Sequence, residues 1–185
     1  MAAVDPIRDA RTLESLKDAL REINEKYYVM FMIGIYSGLR VSDILKLQVR
    51  DVKYKDEVSI KEKKTGKIKR FPINSALKRV LDDYCEDRKL GEYLVPAKDK
   101  KPMMKPASRT SAYYALHKAA EQVGLEHIGT HTMRKTFGYW MYQQTDKNVA
   151  MLMKIFNHSD PSITLVYIGI QKERIDDAYR RLSFK

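Results

Sequence analysis

Apolar residues recur every three or four positions at Leu13, Leu16, Leu20 and Ile23, so residues 11–23 are expected to form an amphipathic helix. The run from Tyr27 to Tyr36 is apolar on every side, as a helix in the centre of a core would be. Ser37-Gly38 breaks it, and a short helix from Val41 to Leu47 should follow, with Arg40 at its mouth. The period then shortens. Val49, Val58 and Ile60 read as short strands divided by the polar turn Tyr54-Lys55-Asp56. Lys64-Thr65-Gly66-Lys67 is a second turn, in which Gly66 can take a positive φ. A third strand, Ile68 to Ile73, carries Pro72, which suits an edge or a strand end. The expected unit is a three-stranded antiparallel meander with a lysine-rich tip.

Helical periodicity returns with Ala76, Leu77, Val80, Leu81, Tyr84 and Cys85. Gly91 to Ser108, with its prolines and lysines, reads as a long loop, and long loops in compact domains are often functional. Ala112, Tyr113, Leu116, Ala119, Ala120 and Val123 mark a helix ended by Gly124. Thr130 is expected to cap a helix running through Trp140 to about Gln144. Residues 147–156 form another helix. Asp160-Pro161 is an N-cap and first-turn pair for the short helix that holds Tyr167. Ile175, Ala178, Tyr179 and Leu182 stripe a last helix. The fold class is therefore mainly α with one small three-stranded antiparallel sheet, α+β in layout, and 185 residues suffice for one domain with a sizeable core.

Composition adds a direction. Mean hydropathy is −0.50 and the formal charge is +11, with a pI near 9.6. Such a balance favours a polyanion, nucleic acid first and an anionic membrane second. The charge is clustered, in Lys61, Lys63, Lys64, Lys67, Lys69 and Arg70 and again in Lys98, Lys100, Lys101, Lys105 and Arg109. The longest apolar run, Tyr27 to Tyr36, is half the length a membrane span requires, about 20 residues. The first residues have neither a basic n-region nor an apolar h-region. Cys85 is alone, so no intramolecular disulfide can form, which fits a reducing cytoplasm.

Six residues carry the candidate chemistry: Arg40, Lys64, His131, Arg134, His158 and Tyr167. A phosphodiester repels nucleophiles, and its pentacoordinate transition state concentrates charge on the non-bridging oxygens. Two guanidiniums can hold those oxygens in forked, charge-assisted bonds. Arg40 follows the buried helix, and Arg134 lies one helical turn after His131. Tyrosine has a pKa of about 10, so Tyr167 as nucleophile needs a base or a cationic surround. His131 can serve as that base and His158 can hydrogen-bond the phosphate. A lysine on a mobile turn can protonate the leaving oxygen: Lys64 is the first choice, Lys67 the rival. Asp43, three residues after Arg40, is placed to pair with it across one turn and orient its guanidinium. Basic residues dominate the set and no acidic cluster joins the histidines, a poor composition for a metal-dependent nuclease.

These motifs carry a resemblance. Ser37-Gly38-Leu39-Arg40-Val41-Ser42-Asp43-Ile44-Leu45 resembles the first-arginine box of the tyrosine recombinase (phage-type integrase) family. His131-Thr132-Met133-Arg134-Lys135-Thr136-Phe137 resembles its His-x-x-Arg box, and Asn157 to Tyr167 its terminal box with the nucleophilic tyrosine. Lys64-Thr65-Gly66 is similar to the family's β-hairpin lysine. The boxes follow the family's order over about residues 10–180.

The resemblance implies a site-specific recombinase catalytic domain that acts on double-stranded DNA through a 3′-phosphotyrosyl intermediate, with no metal, ATP or other cofactor. It implies a homo-tetramer when two duplexes synapse, no membrane, and a place in the bacterial cytoplasm on the nucleoid. The alternative is a DNA-binding accessory or regulatory homologue without turnover of its own. Family members usually carry an N-terminal core-binding domain. About ten residues precede the first helix here, so residues 1–185 are expected to be a single catalytic domain with that domain absent.

Overall fold

The apolar run forms the central helix of the molecule. In the computed structural model, which describes residues 4–64, 66–97 and 105–183, it lies in α2 (Glu25–Ser37), buried from Tyr28 to Gly34. The amphipathic segment before it is α1 (Ala10–Ile23), with Leu16, Ala19 and Leu20 inward. Asn24 ends α1 and caps α2, its side chain accepting from the Lys26 amide at 3.1 Å. After α2 come α3 (Val41–Ile44), a 3₁₀ turn at Val49–Asp51, β1 (Glu57–Lys61) and β2 (Ile68–Pro72). The rest is helical: α4 (Ser75–Cys85), α5 (Arg109–Gln122), α6 (Thr132–Gln144), α7 (Val149–Phe156), α8 (Pro161–Tyr167) and α9 (Ile170–Arg181). No helix among the described residues is long and apolar enough to cross a membrane.

The sheet corrects the sequence reading. Among the described residues it has two strands, paired antiparallel from Glu57↔Pro72 to Lys61↔Ile68. Val49, expected in the first of three strands, opens the 3₁₀ turn instead. Its amide donates to Glu92 O at 2.9 Å, and Leu94 N donates to Leu47 O at 2.9 Å. The backbone of 47–49 is thus taken by residues from the long loop, and alternation of apolar residues cannot reveal which partner a strand-like segment chooses. In the described parts of the loop, Tyr93 bridges Gln48 and Pro96 bridges Pro106. Lys98, Lys100 and Lys101 of the second basic cluster, and Thr65 of the hairpin turn, lie outside the described residues. The short helix is also shorter than expected, ending at Ile44, and α6 starts at Thr132 with His131 rather than Thr130 at its N-cap.

α2 packs against α1, α4, α5 and α6 to make the main core. A second cluster gathers Phe137, Tyr139, Tyr142, Leu152, Phe156, Ile168 and Ile170 from α6 to α9. α6 joins the two, with Met133 in the first and Phe137 in the second. The contact between α2 and α6 is close because Gly34 faces Met133: a Cβ at Gly34 would stand 2.7 Å from the Met133 Cβ. That approach sets the end of α2 beside the start of α6, which is where the candidate residues converge.

Candidate active site

Arg40 is positioned by a tight exit from α2. Gly38 caps the helix in the left-handed region, φ 60°, where a Cβ would meet the Phe137 ring at 2.4 Å. The Ser37 hydroxyl donates to Ile33 O at 2.6 Å and accepts from Leu39 N at 3.1 Å. Arg40 then stands as the N-cap of α3 in extended conformation. Arg134 comes from α6 and is only 3% exposed. It donates to Gly38 O from Nη1 and to Phe156 O from Nη2 at 3.4 Å, and its guanidinium lies over the Phe156 ring at 4.5 Å. Arg134 therefore ties the end of α2 to the end of α7, and the charge stays buried because both carbonyls compensate it.

Arg40, Lys64, His131 and Arg134 line one cleft of about 440 Å³, together with Val41, Ser42, Lys63, Arg109 and Thr130. Tyr167, the last residue of α8, brings its hydroxyl to 3.4 Å from His131 Nδ1. Its ring meets Phe156 edge-on at 5.4 Å and His158 at 5.5 Å. Asp160 caps α8 as expected, accepting from Ser162 N at 2.7 Å, with Pro161 in the first turn. His158 is placed differently from the other five. Its Nδ1 is 3.0 Å from Thr164 Oγ1, and it borders a neighbouring hollow with Ala150, Met153, Lys154, Asn157 and Ser159.

The hairpin separates its two candidate lysines. Lys64 lines the cleft, whereas Lys67 Nζ donates to Asn157 Oδ1 at 3.0 Å. Asp43 departs from the expected pairing with Arg40. It is fully buried and its Oδ1 accepts from the Lys63 amide at 2.9 Å, while Arg40 Nη1 pairs with Glu62 Oε1 at 2.7 Å. The i,i+3 spacing put Asp43 within reach of Arg40, but the hairpin folds over α3 and supplies a better-placed carboxylate. No group of three or more His, Cys, Asp or Glu side chains among the described residues could hold a metal ion.

The Phage integrase family model matches residues 9–174. The chain belongs to this family. It is 46% identical over 180 residues to the protein named "Probable integrase/recombinase YoeC" of Bacillus subtilis (strain 168), with 97% of each chain covered. It is 26% identical to the tyrosine recombinase XerC of Caldanaerobacter subterraneus subsp. tengcongensis, covering 92% of this chain and 50% of that one. Its fold is that of the crystal structure of XerA recombinase, TM-score 0.72 at 14% identity, over 98% of this chain and 68% of that one. It is also that of XerH bound to palindromic difH substrate in a post-cleavage complex, TM-score 0.70 at 16% identity, over 96% and 53%. The chain thus spans nearly the whole of YoeC and about half of XerC and XerH. The integrase family comprises tyrosine recombinases, a class of DNA strand-transferring enzymes, and the mainly helical fold with a small antiparallel sheet is that of their catalytic domains.

Three residues in or beside the cleft were not among the candidate site residues read from the sequence: Arg109 lines it, Glu62 pairs with Arg40, and Lys69 bonds to Ser37 O. Lys69 sits on the same strand face as buried Phe71, two residues on, so alternation along β2 could have shown it turning inward. It donates to Ser37 O at 3.2 Å, and burial, reinforced by repulsion from Arg134, lowers its pKa to about 8. The same causes act across the site. Partial burial, then Arg134, Lys135, Arg40 and Arg109, push His131 below the ordinary imidazole value. His158 is pushed down by burial, then by Arg134 and Arg40. Burial raises Tyr167 above the ordinary phenol value, opposed by the charge of Arg134 and its hydrogen bond to the phenol. Both shifts favour the uncharged forms, the phenol of Tyr167 and the imidazole of His131.

Proposed function

We propose that this chain is the DNA-cutting and DNA-joining unit of a site-specific recombinase, with Tyr167 as its nucleophile. The observation that carries the reading is the Tyr167 hydroxyl at 3.4 Å from His131 Nδ1, on the edge of a cleft lined by Arg40, Lys64 and Arg134. The substrate is double-stranded DNA, in keeping with the charge of +11 and the cationic cleft. Tyr167 Oη attacks the scissile phosphorus and passes its proton to His131. The bond from phosphorus to the 5′-oxygen breaks as Lys64 protonates that oxygen. A 3′-phosphotyrosyl bond and a free 5′-hydroxyl result, and the 5′-hydroxyl of another strand reverses the step. Bond energy is conserved, so neither ATP nor metal enters. Arg134 and Arg40 stabilise the charge that grows on the non-bridging oxygens. His158 takes the same phosphate from the far edge of Tyr167, its ring held by Thr164. Asp43 supports the site by holding the hairpin turn at the Lys63 amide.

A tetramer synapsing two duplexes is the assembly this chemistry needs, since two strands from each duplex must exchange. Exposed Ile175, Tyr179 and Leu182 at and beyond α9 supply an apolar stripe for contact between protomers. The test is a nicked suicide duplex, drawn from a panel of sites flanking the coding sequence, incubated with the protein and run on a denaturing gel. A covalent protein–DNA band is expected for the wild type and none for Tyr167→Phe. Retention of the band in Tyr167→Phe removes Tyr167 as nucleophile. Salt-sensitive DNA binding with no adduct on any duplex would favour the accessory, non-catalytic reading instead.

A further inference from the structure

The turn that carries Lys64 is fastened to the Arg40 turn at three points. Glu62 Oε1 accepts from Arg40 Nη1 at 2.7 Å, Asp43 Oδ1 accepts from Lys63 N at 2.9 Å, and Lys69 Nζ donates to Ser37 O at 3.2 Å. Glu62 is the centre of this arrangement. Its own amide donates to Lys67 O at 2.9 Å and its carbonyl accepts from Gly66 N at 3.0 Å, so its backbone closes the hairpin. Its side chain is buried at 7% residue exposure, next to a cleft where both Lys63 and Lys64 are exposed. A carboxylate beside a phosphate-binding arginine works against anion binding unless it does something else there. Here it joins the arginine to the lysine turn.

We propose that Glu62 is a positioning residue: its carboxylate fastens the Lys64 turn to Arg40, so that the phosphate clamp and the proton donor are presented as one unit. The inference rests on the role proposed above for Lys64. Without the tie, the hairpin is still held, among the described residues, by the bonds of the Lys63 amide to Asp43, of Lys69 to Ser37 O and, on the far side, of Lys67 to Asn157, and none of these three joins it to the Arg40 side chain. Lys64 then samples positions from which it cannot protonate the leaving oxygen.

Two measurements on the full chain test this, one with DNA and one without. In Glu62→Ala, amide exchange across residues 62–67 should quicken by about tenfold while exchange in α2 and α6 is unchanged. On a suicide duplex that the wild type cleaves, adduct formation at saturating DNA should slow by about 100-fold, with DNA affinity changed by no more than about threefold. A duplex with sulfur in place of the leaving 5′-oxygen should recover most of that loss, because a thiolate leaves without a proton. Glu62→Gln, which keeps an acceptor of the same shape, should retain the rate within about tenfold. If Glu62→Ala fails to fold, Glu62→Lys takes its place: it removes the acceptor and repels Arg40, and it should show the same quickened exchange and the same sulfur-relieved slowing.

Unchanged exchange in the turn overturns the proposal, as does a Glu62→Ala protein that binds DNA more tightly and cleaves at least as fast. So does a cleavage defect that sulfur does not relieve. If the wild type forms no adduct on any duplex, the proposed reaction fails, and the exchange measurement alone decides the tether.

Discussion

Gly38→Ala is the change that most directly probes how α2 hands Arg40 to the site. Gly38 has φ 60°, a conformation that costs an L side chain about 1–2 kcal/mol. A methyl there would also lie 2.4 Å from Phe137 Cδ1 and 2.8 Å from Cε1. Phe137 is 7% exposed and packs edge-on to Phe156, so its ring has nowhere to retreat, and overpacking of this kind adds about 1–3 kcal/mol. The sum is about 2–5 kcal/mol, a large part of the total for a domain of this size, about 5–15 kcal/mol. At about 2–4 °C per kcal/mol, Tm should fall by about 4–20 °C. Gly124→Ala is the control. Its φ is 66°, but no atom lies within 4 Å of the added methyl, so it should lose only about 1–2 kcal/mol. Urea unfolding of both variants measures the difference. Adduct formation should suffer only in Gly38→Ala, because Gly38 O is also the acceptor for Arg134. If the two variants unfold within about 0.5 kcal/mol of each other, the close contact with Phe137 does not shape this turn.

Four further outcomes are expected. The adduct-forming rate should be flat near neutrality and fall as pH drops through the pKa of His131, which lies below about 6.5, since the base must be neutral to take the tyrosine proton; a half-maximal point above about pH 7 in single-turnover assays contradicts this. Lys69 has a folded pKa of about 8 against 10.5 in the open chain. The unfolded state therefore binds more protons between these values, and wild-type stability should gain on that of Lys69→Met by up to about 3 kcal/mol as pH rises from about 8 to 10.5, read from urea midpoints. Asp43→Ala removes a charged acceptor from the part-buried Lys63 amide and should cost about 1–3 kcal/mol in the same assay; no loss would mean that the amide finds another partner at once. EDTA should leave adduct formation unchanged, and strong inhibition would point to a metal-dependent reaction.

Periodicity and punctuation alone were enough for most of the helices. Tyr27 to Tyr36 could only be buried, Gly38 could only end its helix, and Asp160-Pro161 could only begin one, because each of these follows from local sterics or solvation. The boxes around Arg40, His131-Arg134 and His158-Tyr167 were legible because each is a short run of neighbouring residues. What the sequence could not decide was which distant segments would meet. The backbone of 47–49 went to residues 92–94 rather than to the hairpin, since either partner satisfies the same hydrogen bonds. Arg40 went to Glu62 rather than to Asp43, because hairpin and helix α3 close on each other from 22 residues apart. The separation of Lys64 from Lys67 followed from that closure. Local patterns are written in neighbouring residues, whereas the tie between the phosphate clamp and the lysine turn exists only once burial has brought two elements together and made their charges compensate one another.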